Sequence, residues 1–145
     1  MTVTVNNLPA VVNAGQNQTA LEGSIVSLVS ATFVDPGVLD SHTATINWGD
    51  GTLTESGAVV ENNGSGSVSG SHVYSDNGKY TVQICVMDDD TGSGCSSFTA
   101  TVNNVPPNLA VAGTTTVNEG SQMTLNLSAP DVGAADIVTL AATGL

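Results

Sequence analysis

The stretch Ile46-Asn-Trp-Gly-Asp-Gly-Thr52 decides the fold. Ile46 and Trp48 continue an alternation that starts at Ala44, so one face of the segment is apolar, the pattern of a half-buried strand. Gly49-Asp50-Gly51 then ends it. Two glycines tolerate the left-handed backbone of a tight turn, and the aspartate between them can bond its own turn. The same alternation recurs on both sides. Strands are expected over Ser24 to Ser30, His42 to Trp48, Gly51 to Val60, Gly66 to Tyr74, Lys79 to Met87 and Cys95 to Asn103. Asp-Pro-Gly, Gly-Asp-Gly, Asn-Asn-Gly, Asp-Asn-Gly and Asp-Thr-Gly turns separate them, and no window carries helical periodicity. Parity points Val26, Leu28, Ala44, Ile46, Trp48, Tyr80, Val82, Ile84, Val86, Phe98, Ala100 and Val102 inward as the expected core. Trp48 is its main aromatic; stacking on a sugar is the lesser reading of that ring.

Further out, the chain repeats itself. Thr2-Val-Thr-Val-Asn-Asn7 and Pro9 return as Thr99-Ala-Thr-Val-Asn-Asn104 and Pro106, and Glu22-Gly23 returns as Glu119-Gly120 at the same offset. One repeat is therefore about a hundred residues, the size of a β-sandwich. The phase reads residues 1–7 as the last strand of a preceding repeat and 8–104 as a whole repeat. Residues 105–145 read as a linker and the incomplete start of another, stiffened by Pro106-Pro107. At 145 residues the chain is too short for two full sandwiches.

Composition excludes several partners. One Lys+Arg stands against 13 Asp+Glu, a formal net charge of -12, so the field repels phosphate backbones and anionic lipid. Nucleic acid is not an expected partner. No apolar run reaches about 18 residues, so no membrane insertion of this segment is expected. Met1 to Val5 lacks the basic and apolar blocks of an export signal, which is expected outside this piece.

Ile46-Asn-Trp-Gly-Asp-Gly-Thr52, followed by His72-Val-Tyr74 and Asp76-Asn-Gly-Lys-Tyr-Thr-Val82, resembles the signature of the polycystic-kidney-disease (PKD) domain. The resemblance covers roughly Leu8 to Asn104. Asn47-Trp48 stands where the family more usually has Trp-Phe, which alters packing and not the turn. The resemblance implies an all-β fold, an immunoglobulin-like antiparallel β-sandwich in a tandem repeat. Trp48, Asp50, Gly51, His72, Tyr74, Gly78 and Tyr80 would be structural, His72 packing near Tyr74. Asp76-x-Gly78-x-Tyr80 fits the tyrosine corner of sandwich folds. The segment from Val117 to Leu145 lacks the Trp-Gly-Asp-Gly run and is similar to the start of a cadherin-like or other Ig-type repeat.

Cys85 and Cys95 mirror each other about Asp90 and share the outward parity. A cross-strand disulfide is favoured over two free thiols and suits an oxidising compartment. In an Ig-like topology Asp35, Asp40, Asp88, Asp89 and Asp90 should cluster where the chain enters the sandwich. They form the first candidate calcium site, because carboxylates without basic partners repel and calcium takes six to eight oxygen ligands. A solvated acidic rim is the alternative. At the opposite end the same topology gathers Glu22, Asp50, Asp76, Asn103 and Asn104, facing Asp131 and Asp136; Glu22, Asn104 and Asp131 form the second candidate, an arrangement similar to the interdomain calcium junctions of cadherins. His42 reads as an exposed residue at a strand start. Asn17-Gln-Thr19, Asn63-Gly-Ser65 and Asn126-Leu-Ser128 fit the glycosylation sequon, a pattern frequent by chance in such a composition.

No nucleophile, metalloprotease or nucleotide motif is present, so no enzyme is expected. The expected function is an extracellular structural or adhesive spacer, or an interaction module, of a large repeat-containing surface protein. Its partners would be neighbouring Ig-like repeats or copies of itself, with a cell-surface or polymer ligand beyond them. The alternatives are an accessory PKD module of a secreted hydrolase, or a filament subunit that assembles by strand addition.

Overall fold

The structure, a computed structural model, describes residues 1–113 and 116–141. Within it β1 (Val11–Asn13), β2 (Gln18–Leu21), β3 (Ile25–Ser27), β4 (Thr32–Val34), β5 (His42–Asn47) and β6 (Glu55–Asn62) precede β7 (Ser65–Ser69) and β8 (Ser71–Val73). The long hairpin β9 (Gly78–Asp88) and β10 (Ser93–Asn103) closes the sandwich, and β11 (Ala110–Gly113) and β12 (Leu125–Ser128) follow it. No helix occurs among the described residues.

Two layers face each other. One holds β1, β4, β7 and the far end of β6; the other holds the near end of β6, then β5, β9, β10 and β2. Strand β6 joins them: Glu55 to Gly57 pair with β5, and Ala58 to Asn62 pair with β7. A Cβ on Gly57 would lie 2.7 Å from Val68 Cγ1 and 3.2 Å from Ala44 Cβ, so glycine lets the layers close where the strand crosses. Strands β3 and β8 pair as the continuation of β4 and β7, with Leu28 N–H donating to Gly70 O (3.0 Å) across the break. The chain's first strand is divided as well. Strand β1 runs antiparallel to β4, and β2, in the other layer, runs parallel to β10.

Alternation fills the interior as the sequence implies. Ala44, Ile46, Val82, Ile84, Val86, Phe98, Ala100 and Val102 are buried, and Trp48 is fully enclosed. Leu28 and Tyr80, expected inside, are only partly buried against the core's edge. Phe33, Val68, Ala10, Ala14 and Ala31 join the core from strands and turns too short to show a period.

Four local expectations change. The strand expected from Gly51 begins at Glu55, because the Gly-Asp-Gly turn runs on through Thr52. The strand expected over Gly66 to Tyr74 is broken at Gly70. Thr2 to Asn7 forms no strand, having no ladder partner among the described residues. His42 is not exposed: it is buried and packs on Phe33 with ring centroids 4.6 Å apart. It shares the inward parity of Ala44 and Ile46, and its ring stays in the core because Glu61 (2.6 Å) and Asp35 (3.2 Å) bond its two nitrogens.

The last segment has little core of its own. All residues of β11 and β12 are exposed, and a lone two-stranded hairpin is marginal in water. Residues 114–115 and 142–145, within the expected incomplete repeat, lie outside the described residues.

Candidate functional site

Trp48 opens an aromatic column that continues through His72, Tyr74 and Tyr80. The His72 ring stacks on Trp48 (5.1 Å between centroids) and meets Tyr74 edge-on at 4.8 Å, and Tyr74 stacks on Tyr80 at 4.3 Å. Each polar tip is occupied. Tyr74 Oη donates to Trp48 O (2.8 Å), Tyr80 Oη to Asp76 O (2.9 Å) and Trp48 Nε1 to Glu55 Oε2 (3.2 Å). Tyr80 lies over Gly78, where a Cβ would come within 3.1 Å of the ring. Asp50 accepts from Thr52 N (3.1 Å), Thr52 Oγ1 (2.6 Å) and His72 Nε2 (2.7 Å), while Gly51 keeps a φ of 86° in the turn. Burial works against the Asp50 anion, but the bonds from Thr52 and His72 outweigh it and hold the carboxyl below its ordinary value. Burial, with Asp50 nearby, pushes Tyr74 up to about 12, so its hydroxyl is a donor and not a base. This column is architecture: both Tyr hydroxyls, the indole N–H and His72 Nε2 are each bonded within the fold.

On the outer face of the long hairpin, Cys85 and Cys95 sit opposite each other in the ladder and form a disulfide.

Two acidic groups occupy the two ends of the sandwich. At the end where the chain enters, the loop after β4 and the tip of β9–β10 bring Asp35, Asp40 and Asp88 together, with one oxygen of each within 4.8 Å of the others. Asp89 and Asp90 stand outside this group. Asp89 accepts from Ser41 N at 3.1 Å, and Asp90 lines a shallow recess with Asn7 and Pro36. Protein donors already serve the buried pair. Asp88 accepts from Asn7 Nδ2 (2.9 Å) and Gly92 N (2.7 Å), and Asp35 from Gly37 N (2.7 Å) and His42 Nε2 (3.2 Å). The Asn7 bond comes first in holding Asp88 below its ordinary value. Burial disfavours charge on His42, but its bonds to Glu61 and Asp35 more than reverse this and raise its pKa. Glu61, at the inward rim of β6, was silent in the sequence because its partner looked exposed.

At the other end Glu22, Asp131 and Asp136 converge within the same 4.8 Å limit. Strand β2 ends at Leu21, and Glu22 N–H continues its ladder to Asn103 O at 3.0 Å, which turns the side chain inward under the chain's exit. Glu22 is only 2% exposed. Its Oε1 accepts from Val105 N at 2.7 Å; its buried Oε2 has no partner. The turn Asp131 to Asp136 is pinned beside it, with Gly133 N donating to Asp131 Oδ1 (3.1 Å) and Ala134 N to Ser75 O (2.8 Å). With its nitrogen inward, the Asn104 amide donates to Asp136 Oδ2 (2.6 Å) and Glu22 Oε1 (3.0 Å). Desolvation, then the charges of Glu22, Asp131 and Asp76, raise the Asp136 carboxyl. The repeated Glu-Gly pair was the sequence signal for this place, though it did not show how deeply Glu22 is buried.

The family model described as PKD domain matches residues 6–103. The chain belongs to the PKD domain family. No curated protein matches it. Among solved structures it is similar to the PKD domain of an M14-like peptidase from Thermoplasmatales archaeon SCGC AB-540-F20. That match has 26% identity and a TM-score of 0.52 over 67% of this chain and 98% of that one. It also matches PcdhgB3 EC1-4, with 12% identity and a TM-score of 0.41, over 88% of this chain and 33% of that chain. As a PKD domain the chain carries the Ig-like sandwich, and no described helix is long and apolar enough to cross a membrane.

Proposed function

We propose that this PKD domain is an extracellular spacer that transmits tension and orientation along a string of sandwich repeats in a large surface protein. One observation carries the reading: the chain enters at one end of the long hairpin and leaves at the other, straight into a segment that docks there. Asn7 bonds Asp88 at the hairpin tip, whereas Asn103 ends β10, eleven residues away, which at strand rise separates the two ends by roughly 35 Å. The following segment repeats the Glu-Gly turn, with Gly23 and Gly120 at φ of 71° and 76°. The disulfide and the family's usual setting support an extracellular place. The column and the acidic group at the entrance serve the fold, their buried polar atoms being occupied by protein partners, so the domain itself is read as non-catalytic.

Likeness to the PKD domain of a peptidase favours a second reading, an accessory module of a secreted hydrolase. Aromatic residues are only 3% of the chain, and its Trp and both Tyr belong to the column, which leaves no aromatic platform for a polymer. Two copies of the chain fused head to tail separate these readings. Small-angle scattering should show an extended rod, and insoluble collagen, chitin and cellulose should not retain the pair. A compact envelope would sink the spacer, and retention on a polymer would install the accessory module.

A further inference from the structure

Glu22 presents a problem of charge. A carboxylate that is almost wholly buried needs a cation or hydrogen-bond donors on both oxygens, yet Oε2 has neither. Its surroundings make the omission sharper. The unserved oxygen points into the turn of Asp131 to Asp136, where it would lie 3.1 Å from a Cβ on Gly133. Three formal negative charges meet there, and no lysine or arginine among the described residues makes an ion pair.

We infer that the Glu22, Asn104, Asp131 and Asp136 cluster binds a single calcium ion that clamps the sandwich to the segment following it. Geometry fits the ion. Calcium–oxygen distances of about 2.3 to 2.6 Å place ligands across one ion at most about 5 Å apart, and the three carboxylate oxygens lie within 4.8 Å of one another. Glu22 Oε1 and Asp131 Oδ1 are occupied by backbone N–H groups, which fixes both carboxylates and leaves each a second oxygen. Turning the Asn104 amide to present its oxygen adds a fourth protein ligand, and exposed Asp136 leaves room for water to complete six or seven. An all-oxygen set with three carboxylates excludes soft-metal chemistry and favours a hard divalent ion. The entrance group of Asp35, Asp40 and Asp88 differs in kind, since its buried oxygens bond protein donors.

The mechanical meaning of this clamp rests on the spacer reading, but its existence is tested on one copy of the chain, so either can fail alone. Metal-stripped protein is titrated with calcium chloride in a calorimeter and melted in calcium or in chelator at matched ionic strength. One ion should bind with a Kd of roughly 0.1 to 1 mM, and about a tenfold excess over Kd should raise the melting midpoint by roughly 4 to 8 °C. Glu22→Gln and Asp136→Asn should each abolish the heat and the rise, whereas Asp35→Asn keeps both. If Glu22→Gln fails to fold, Asp131→Asn and Asp136→Asn carry the test. A melt indifferent to calcium overturns the site. So does a calcium rise that survives Asp136→Asn or disappears in Asp35→Asn.

Discussion

Trp48 shows how one side chain can set both packing and polarity. Its ring is wholly enclosed, its indole N–H meets Glu55 and its carbonyl receives Tyr74. Truncation leaves a large void and takes the indole N–H away from Glu55, so Trp48→Ala should cost about 3 to 5 kcal/mol in a urea melt. A loss below about 1 kcal/mol would place the ring on the surface. Asp50 predicts an acid effect. Its folded pKa lies below the ordinary 3.8, so between those two values the unfolded chain holds the extra proton and stability falls as pH falls. Wild type should exceed Asp50→Asn in melting midpoint at pH 6, and the gap should narrow from about pH 4 downward; a gap constant to pH 2.5 would show the carboxylate to be unpaired. Trp48, Tyr74 and Tyr80 were legible because a turn motif and a tyrosine corner each fix a side chain's surroundings locally. His42 and Glu61 were not, since their bond spans two strands and a histidine at a strand start reads equally well as solvated.

At the scale of elements, the β9–β10 hairpin is the strongest unit. Its ladder runs from Val102 opposite Gly78 to Ser93 opposite Met87, with the cystine on its outer face. The bridge closes a loop across a sequence separation of ten, and loop entropy assigns it about 2 to 3 kcal/mol. Replacing both cysteines by serine should lower the denaturation free energy by that amount and leave the fold intact. Intact mass should rise by two protons on reduction, and an unchanged mass would mean free thiols. This hairpin was readable because eleven-residue strands show their period. Strands β1, β2 and β4 hold three or four residues each, too few for alternation to stand out from chance. Their place is settled by pairing with distant strands, which no local pattern records.

For the whole molecule, the division of labour is unequal. Residues 8–104 own the core, while the hairpin of β11 and β12 is exposed throughout. A fragment of residues 8–104 should therefore unfold cooperatively in circular dichroism, and 105–145 alone should show no transition; a folded tail would give it a core of its own. The split first strand has a consequence for force. Because β2 runs parallel to β10, with Gln18 beside Ala100 and Leu21 beside Asn103, pulling the two chain ends apart drags these neighbours in opposite directions along their length. Their hydrogen bonds must then slide and break together, in shear, instead of peeling one at a time like a zipper. The domain should therefore resist a pull along its strands more strongly than a pull across them.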